Sequence, residues 1–365
     1  MQGLAFCAFV PLAAAAPLLA AHSPAVDDLD QRELAYWKGR MATAATLRET
    51  LGQGALDVLV AWSPWAEAQG YDAHIEPQGR VVLYLPDDAR GAGKELERVE
   101  RTADAVEELL FGPPKSRADG VPPRPFVDAP AVMIHTRDEG EYRVLLEHAA
   151  TLEPSLASWV PYGQTLTGFT LVKPLASGWA AKAAQRVEWK AENEVVHRLT
   201  SLLLLRQYGE VPYWLLAGTS WHVELEQCKD IYCFPYRDEF VWATEHTAWP
   251  KELKALFRDG RSEFVSGLCA WKRRTFDAAR SKEAFGLARF AAAREGALAK
   301  LLADFSELRR TDGVRHFEDG TWELILGWEP DIDQSRAILR RHLGDTFEAD
   351  AIAEFIGKAP KAKRR

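Results

Sequence analysis

One short segment, Asn193-Glu194-Val195-Val196-His197, holds residue types that metal-assisted hydrolysis uses. On a helix, positions four apart lie roughly 40° from one another around the axis, so residues 193 and 197 share a face. Two histidines so placed can bind one zinc ion, while a carboxylate directly after the first takes a proton from metal-bound water. Here Glu194 stands at the carboxylate position and His197 at the second ligand position, whereas Asn193 occupies the first. Downstream runs Pro212-Tyr213-Trp214-Leu215-Leu216-Ala217-Gly218-Thr219-Ser220-Trp221-His222-Val223-Glu224, whose proline stands just beyond the end of that helix.

Together these segments resemble the peptidase-MA-like gluzincins. That family of zinc metallopeptidases has a His-Glu-x-x-His helix, a short Pro-containing loop, then a Trp-Leu-x-Glu-Gly helix. The resemblance extends to an apolar edge strand, Gly168-Phe169-Thr170-Leu171-Val172, and to the helix–Gly element Ile338–Gly344. It spans residues 80–357, with its specific part at 168–226, where Pro212, Trp214, Leu215, Gly218 and Glu224 match. It implies a zincin-like α+β fold: a small mixed sheet with an active-site helix, then a mostly helical C-terminal half.

The family's second zinc histidine falls on His197, its general base on Glu194 and its first zinc histidine on Asn193. Its third ligand, the Glu of the Glu-Gly pair, falls on Ala217. An amide is a poor zinc ligand and a methyl group is none, so two of the three ligands are replaced. Without the cation, water keeps its bulk acidity and Glu194 has nothing acidic enough to deprotonate. The expectation is a catalytically inactive pseudopeptidase with no cofactor, zinc entering only if the site functions. Its implied partner is an extended peptide bound by strand addition along Gly168, Phe169 and Thr170, in a cleft between the sheet and the helical half.

Two alternatives stay open: an active zinc peptidase with non-standard ligands, and a structural or envelope-associated protein with an idle cleft. Among substitute ligands, Glu224 lies seven residues past Ala217, one turn too far in an unshifted register, and His222 points elsewhere. Lys190 either reaches the vacant site and pairs with Glu194 or lies on a solvated face. With no metal, His197 hydrogen-bonds inside a polar cleft, and Glu194 either caps a loop or pairs with an arginine.

The elements that must position these residues follow from periodicity. Helical spacing of Leu34, Trp37, Met41, Ala45 and Leu47 predicts a helix over 27–55. Strands are predicted at 56–61, 74–76, 81–85, 131–135 and 167–172, with a turn at Pro77-Gln78-Gly79. Helices are predicted at 94–110 and 139–150, and two long central ones at 179–208, closed by Gly209, and 214–227. Further helices follow at 252–257, 262–280, 283–308, 334–343 and 347–356, while 322–326 fits a helical turn or a strand. The domain organisation expected is a leader at 1–25, an α/β region at 26–130, the zincin-like core at 131–248, a helical region at 249–357 and a basic tail at 358–365.

Bulk composition bounds the function. The 365 residues carry a net charge of −8, and no basic face precedes the tail, which excludes nucleic acid as a partner. Residues 4–21 are apolar and Ala-rich but broken by Pro11 and Pro17, as in a cleaved signal peptide rather than a spanning helix, although no Lys or Arg precedes them. The expected location is therefore exported, periplasmic or secreted, with no integral membrane segment after cleavage. Beyond the leader remain Cys228, Cys233 and Cys269; the first two either bridge across a short loop or stay as thiols.

Overall fold

The computed structural model describes residues 8–9, 31–113, 125–158, 160–162, 168–172, 175–180, 190–233, 248–268, 277–318, 321–325 and 328–357. The fold mixes α and β, as expected for an α+β chain: every described strand of the large sheet precedes residue 181, and helices dominate beyond residue 190. Two compact units divide it. The first comprises 1–104, 124–186 and 205–207, the second 105–123, 187–204 and 208–365.

The first unit is built on a mixed sheet. Its strands are β1 Ala8–Phe9, β2 Glu33–Trp37, β3 Arg40–Thr43, β4 Tyr71–Ile75, β5 Val81–Pro86, β6 Ala131–Thr136, β7 Gly168–Val172 and β8 Leu175–Ala180, in the spatial order β1-β7-β8-β6-β5-β4-β2-β3. Strands β5 and β6 are buried on both faces, which is why both read as unbroken apolar runs. They pair in parallel, and β6 pairs in parallel with β8. The helices α1 Ala44–Leu51, α2 Gln53–Gln69, α3 Ala92–Phe111 and α4 Glu139–Leu152 accompany the sheet. Leu59, Trp62 and Trp65 of α2 and Tyr142 and Leu145 of α4 share one core with Ile75, Val82, Val132 and Ile134 of the sheet. Burial of such large side chains supplies ~1.5–3 kcal/mol apiece before chain entropy is set against it.

Several sequence expectations change here. The helix expected over 27–55 is instead the β2–β3 hairpin followed by α1. Lys38 (φ 49°) and Gly39 (φ 79°) form its two-residue loop, both left-handed as a tight hairpin requires. The strand expected at 56–61 is part of α2, which buries Leu56, Leu59, Trp62 and Trp65 on one side. Trp179, expected to open a long helix, lies in β8 and pairs with Gly168. The turn at Pro77-Gln78-Gly79 is present, with Gly79 at φ 71° donating to the Glu76 carbonyl at 2.8 Å.

The second unit is helical. After the part of α5 (Ala191–Tyr208) that it holds come α6 Tyr213–Cys228, α7 Trp249–Arg258, α8 Phe264–Leu268, α9 Ala278–Ala292, α10 Ala297–Thr311, α11 Ile332–Leu343 and α12 Phe347–Phe355. Helix α6 is buried from Trp214 to Val223 and Glu224 apart from His222, so it forms the unit's centre. Gly218 permits the closest approach: a Cβ there would stand 2.4 Å from the Ala284 carbonyl oxygen of α9. Trp249 packs its ring against Trp221 at 5.4 Å and edge-on to Phe285 at 5.8 Å.

The single helix expected at 283–308 is divided into α9 and α10 at Gly296, which sits at φ 66°. Of the helix expected at 262–280, residues 264–268 and those from 278 onward are helical, and 269–276 lie outside the described residues. Trp322–Leu324 is a strand, β10, antiparallel to β9 Val314–His316. The segment expected as a leader, apart from Ala8–Phe9, together with Cys269 and the tail, also lies outside the described residues. Among the described residues no helix is long and apolar enough to cross a membrane.

Candidate functional site

The site forms where the first turns of α5 meet the last turns of α6, all within the second unit. Gly209 (φ 71°) ends α5, and Pro212 leads into α6 after a four-residue connection, Gly209–Pro212. The two helices then run antiparallel. Ser201 Oγ lies 2.8 Å from Ser220 Oγ, and His197 Nδ1 lies 3.0 Å from Glu224 Oε2. Each step of four back along α5 is thus matched by a step of four forward along α6. In that register Ala217 falls opposite residue 204, well away from His197.

The residue facing His197 is therefore Glu224, which a reading in the family register sets one turn too far. The physical reason is the short connection, which sets the pairing of the helices. Glu224 is completely buried. Its Oε1 accepts hydrogen bonds from Asn193 Nδ2 at 2.8 Å, Tyr232 N at 2.6 Å and Cys233 N at 3.3 Å. These last two bonds exist because Lys229, left-handed at φ 66°, ends α6 and turns the chain back. The returning loop is pinned at its rim. Lys190 Nζ donates to Asp230 Oδ2 at 2.5 Å and lies 4.4 Å from the centre of the Tyr232 ring. The hydrogen bond to Asp230 holds the ammonium above the usual lysine range.

Asn193 is buried and donates from Nδ2 to three acceptors: Glu224 Oε1, the Asp230 carbonyl and Asp230 Oδ1, the latter two at 3.0 Å. An N–H group has no electron pair to give a cation. The ligand set implied by the resemblance, Asn193 with His197 and Ala217, thus does not fit zinc. Glu194, the implied base, accepts from Arg198 Nε at 2.6 Å, one turn along the helix and also largely buried. Lys190 pairs with Asp230 rather than with Glu194, and of the two alternatives for a metal-free Glu194, a loop cap or an arginine, the structure has the arginine, Arg198.

Another group of donors is present. His197, Glu224 and Cys233 each offer one ligand atom, all within 4.8 Å of one another. Cys233 was not among the expected site residues; of the two states open to it, a bridge to Cys228 or a thiol, the structure has the thiol. His222 is not in this group; burial holds its imidazole below the usual range, with Arg289 adding to the shift. Gly168, Phe169 and Thr170, the implied peptide-binding residues, belong to the first unit. Phe169 is buried in that unit's core, and β7 pairs with β8 on one side and with Ala8–Phe9 on the other.

The sequence matches no family model, and no curated protein matches it.

Proposed function

We propose that this chain is an exported, catalytically inactive gluzincin-like protein that keeps a zincin-like scaffold for binding an extended peptide. One observation carries the reading: where hydrolysis needs an electron pair for the metal, Asn193 turns N–H donors towards Glu224 and Asp230. The ion pair of Glu194 with Arg198 supports it, because the guanidinium already holds the carboxylate that would have to take a proton from water. The order of elements, a mixed sheet followed by the helices that carry Asn193, Glu194, His197 and Glu224, agrees with the family's plan.

The peptide on this reading adds to the β7 edge at Gly168, Phe169 and Thr170. Ala8 and Phe9 now pair there with Phe169 and Thr170, and removal of the leader would leave that edge to an incoming strand.

The test is hydrolysis of a mixed library of internally quenched peptides by the purified, zinc-supplemented protein. The expected rate equals that of Glu194→Gln. A rate that disappears in Glu194→Gln overturns the proposal.

A further inference from the structure

We infer that His197, Glu224 and Cys233 form a site for one thiophilic divalent cation, built from a different ligand set from the one the family resemblance implies. The inference stands on the geometry of the second unit and does not rest on the absence of hydrolysis.

The donors are an imidazole nitrogen, a carboxylate oxygen and a sulfur, all within 4.8 Å of one another. This mixture selects zinc over magnesium or calcium, which favour oxygen alone. Tetrahedral zinc places such donors about 3.5 Å apart, so a modest rotation of Cys233 closes the site.

The outer bonds orient the ligands in advance. Three N–H groups, from Asn193, Tyr232 and Cys233, occupy Glu224 Oε1, and this leaves Oε2 turned to His197 Nδ1. Such outer partners hold a metal ligand in place. Asn193 thereby gains a role as a positioning residue: it orients the ligand Glu224.

The charges also close. A divalent cation with one carboxylate and one thiolate has no net charge, which suits a pocket where Glu224 is fully buried and Cys233 nearly so. On binding, the Cys233 S–H bond breaks, a metal–sulfur bond forms and the proton leaves to solvent. Neutral His197 exchanges its Nδ1 proton for one at Nε2, with no net release; an imidazolium would release one more. Glu194, held by Arg198, takes no part. The cation clasps the end of α6 to the loop that follows it.

The experiment is a cobalt(II) titration of the reduced full-length protein, followed by displacement with zinc. The expected result is one cobalt per chain with an intense thiolate-to-cobalt charge-transfer band. Cys233→Ser should abolish the band and Cys228→Ser should retain it. Asn193→Ala should keep the band while binding about 10–100-fold more weakly. Absence of the band, or its survival in Cys233→Ser, overturns the inference. Should Cys233→Ser fail to fold, alkylation of the wild-type protein decides: zinc must shield Cys233 in peptide mapping, and equal labelling with and without zinc overturns it. Peptide hydrolysis is read separately, so either proposal can fail while the other stands.

Discussion

Arg198 Nε donates to Glu194 Oε2 at 2.6 Å, and the two side chains, one helical turn apart, are both shielded from water. Removing one member of such a pair takes a compensating charge from the other where solvation is poor. Arg198→Ala is therefore expected to destabilise the protein by ~3–5 kcal/mol. Glu194→Gln keeps an acceptor for Arg198 and should cost clearly less. Urea denaturation of both variants checks the order; equal losses would mean the pair is solvated.

Asn193 sits between two carboxylates, and its amide is the donor both use. Asn193→Asp keeps the shape and replaces the donor with a third negative charge. The aspartate should resist ionisation, since like charges raise a carboxyl pKa. Its folded-state pKa then exceeds its unfolded value, so the penalty is absent at low pH and grows as pH rises through the unfolded value towards the folded one. Thermal melts at pH 4 and pH 7.5 should show a variant close to wild type in acid and clearly weaker near neutrality.

Gly218 allows α6 to touch α9, with the Ala284 carbonyl oxygen 2.4 Å from where a Cβ would stand. Backbone cannot rotate away as a side chain can. Gly218→Ala is expected to cost ~1–3 kcal/mol or more through overpacking. Gly93→Ala in α3 is the control: among the described residues nothing lies within 4 Å of the added methyl. That variant should be neutral or gain up to ~1 kcal/mol. Denaturation midpoints measure both.

Glu283 of α9 is buried, and its Oε2 has no hydrogen-bond partner among the described residues. Desolvation pushes its carboxyl up to about 7 from 4.5; Asp277 and Glu263 add to the rise, while contacts with Ser262 and the Phe264 amide oppose it. Arg280, which pairs with Asp277, offsets part of that local negative charge. Below pH 4.5 the group is protonated folded and unfolded alike, and stability is unaffected. Between 4.5 and about 7 the unfolded chain loses the proton first, so stability falls, by ~3 kcal/mol in total. Glu283→Gln should flatten this dependence, matching wild type at pH 4 and exceeding it at pH 8. A pH-independent difference would place the carboxyl's titration elsewhere.

Where the sequence pattern was unambiguous, the fold was legible. The buried strands Val81–Pro86 and Ala131–Thr136, and the amphipathic α3, stand within two residues of their predicted bounds. The misreadings share a cause: apolar spacing compatible with two periods. Leu34, Trp37 and Met41 fit a helix as well as a hairpin, and only the left-handed pair Lys38–Gly39 decides between them. In α2, Val58 and Val60 mimic alternation, and Pro64 masks a helix that continues through it.

The site was legible only in part, for a different reason. Asn193, Glu194 and His197 follow from spacing along one helix, and they share its first turns. The partner of His197 depends on how two helices slide past one another, and no local pattern encodes that. Glu224 could have been found from the brevity of the Gly209–Pro212 connection, which limits the offset between α5 and α6. Cys233 could not, since its place depends on the backbone bonds that fold the loop onto Glu224.

That connection also bears on how the site could change. Placing histidine at 193 and glutamate at 217 would leave the new carboxylate opposite residue 204, out of reach of the imidazoles. Bringing a carboxylate at 217 in front of residues 193 and 197 needs an insertion or deletion that re-phases the two helices, a change point substitutions do not supply. The short turn thus works as a phase lock: at this offset the carboxylate that meets His197 is Glu224, and a carboxylate placed at 217 has no imidazole in front of it.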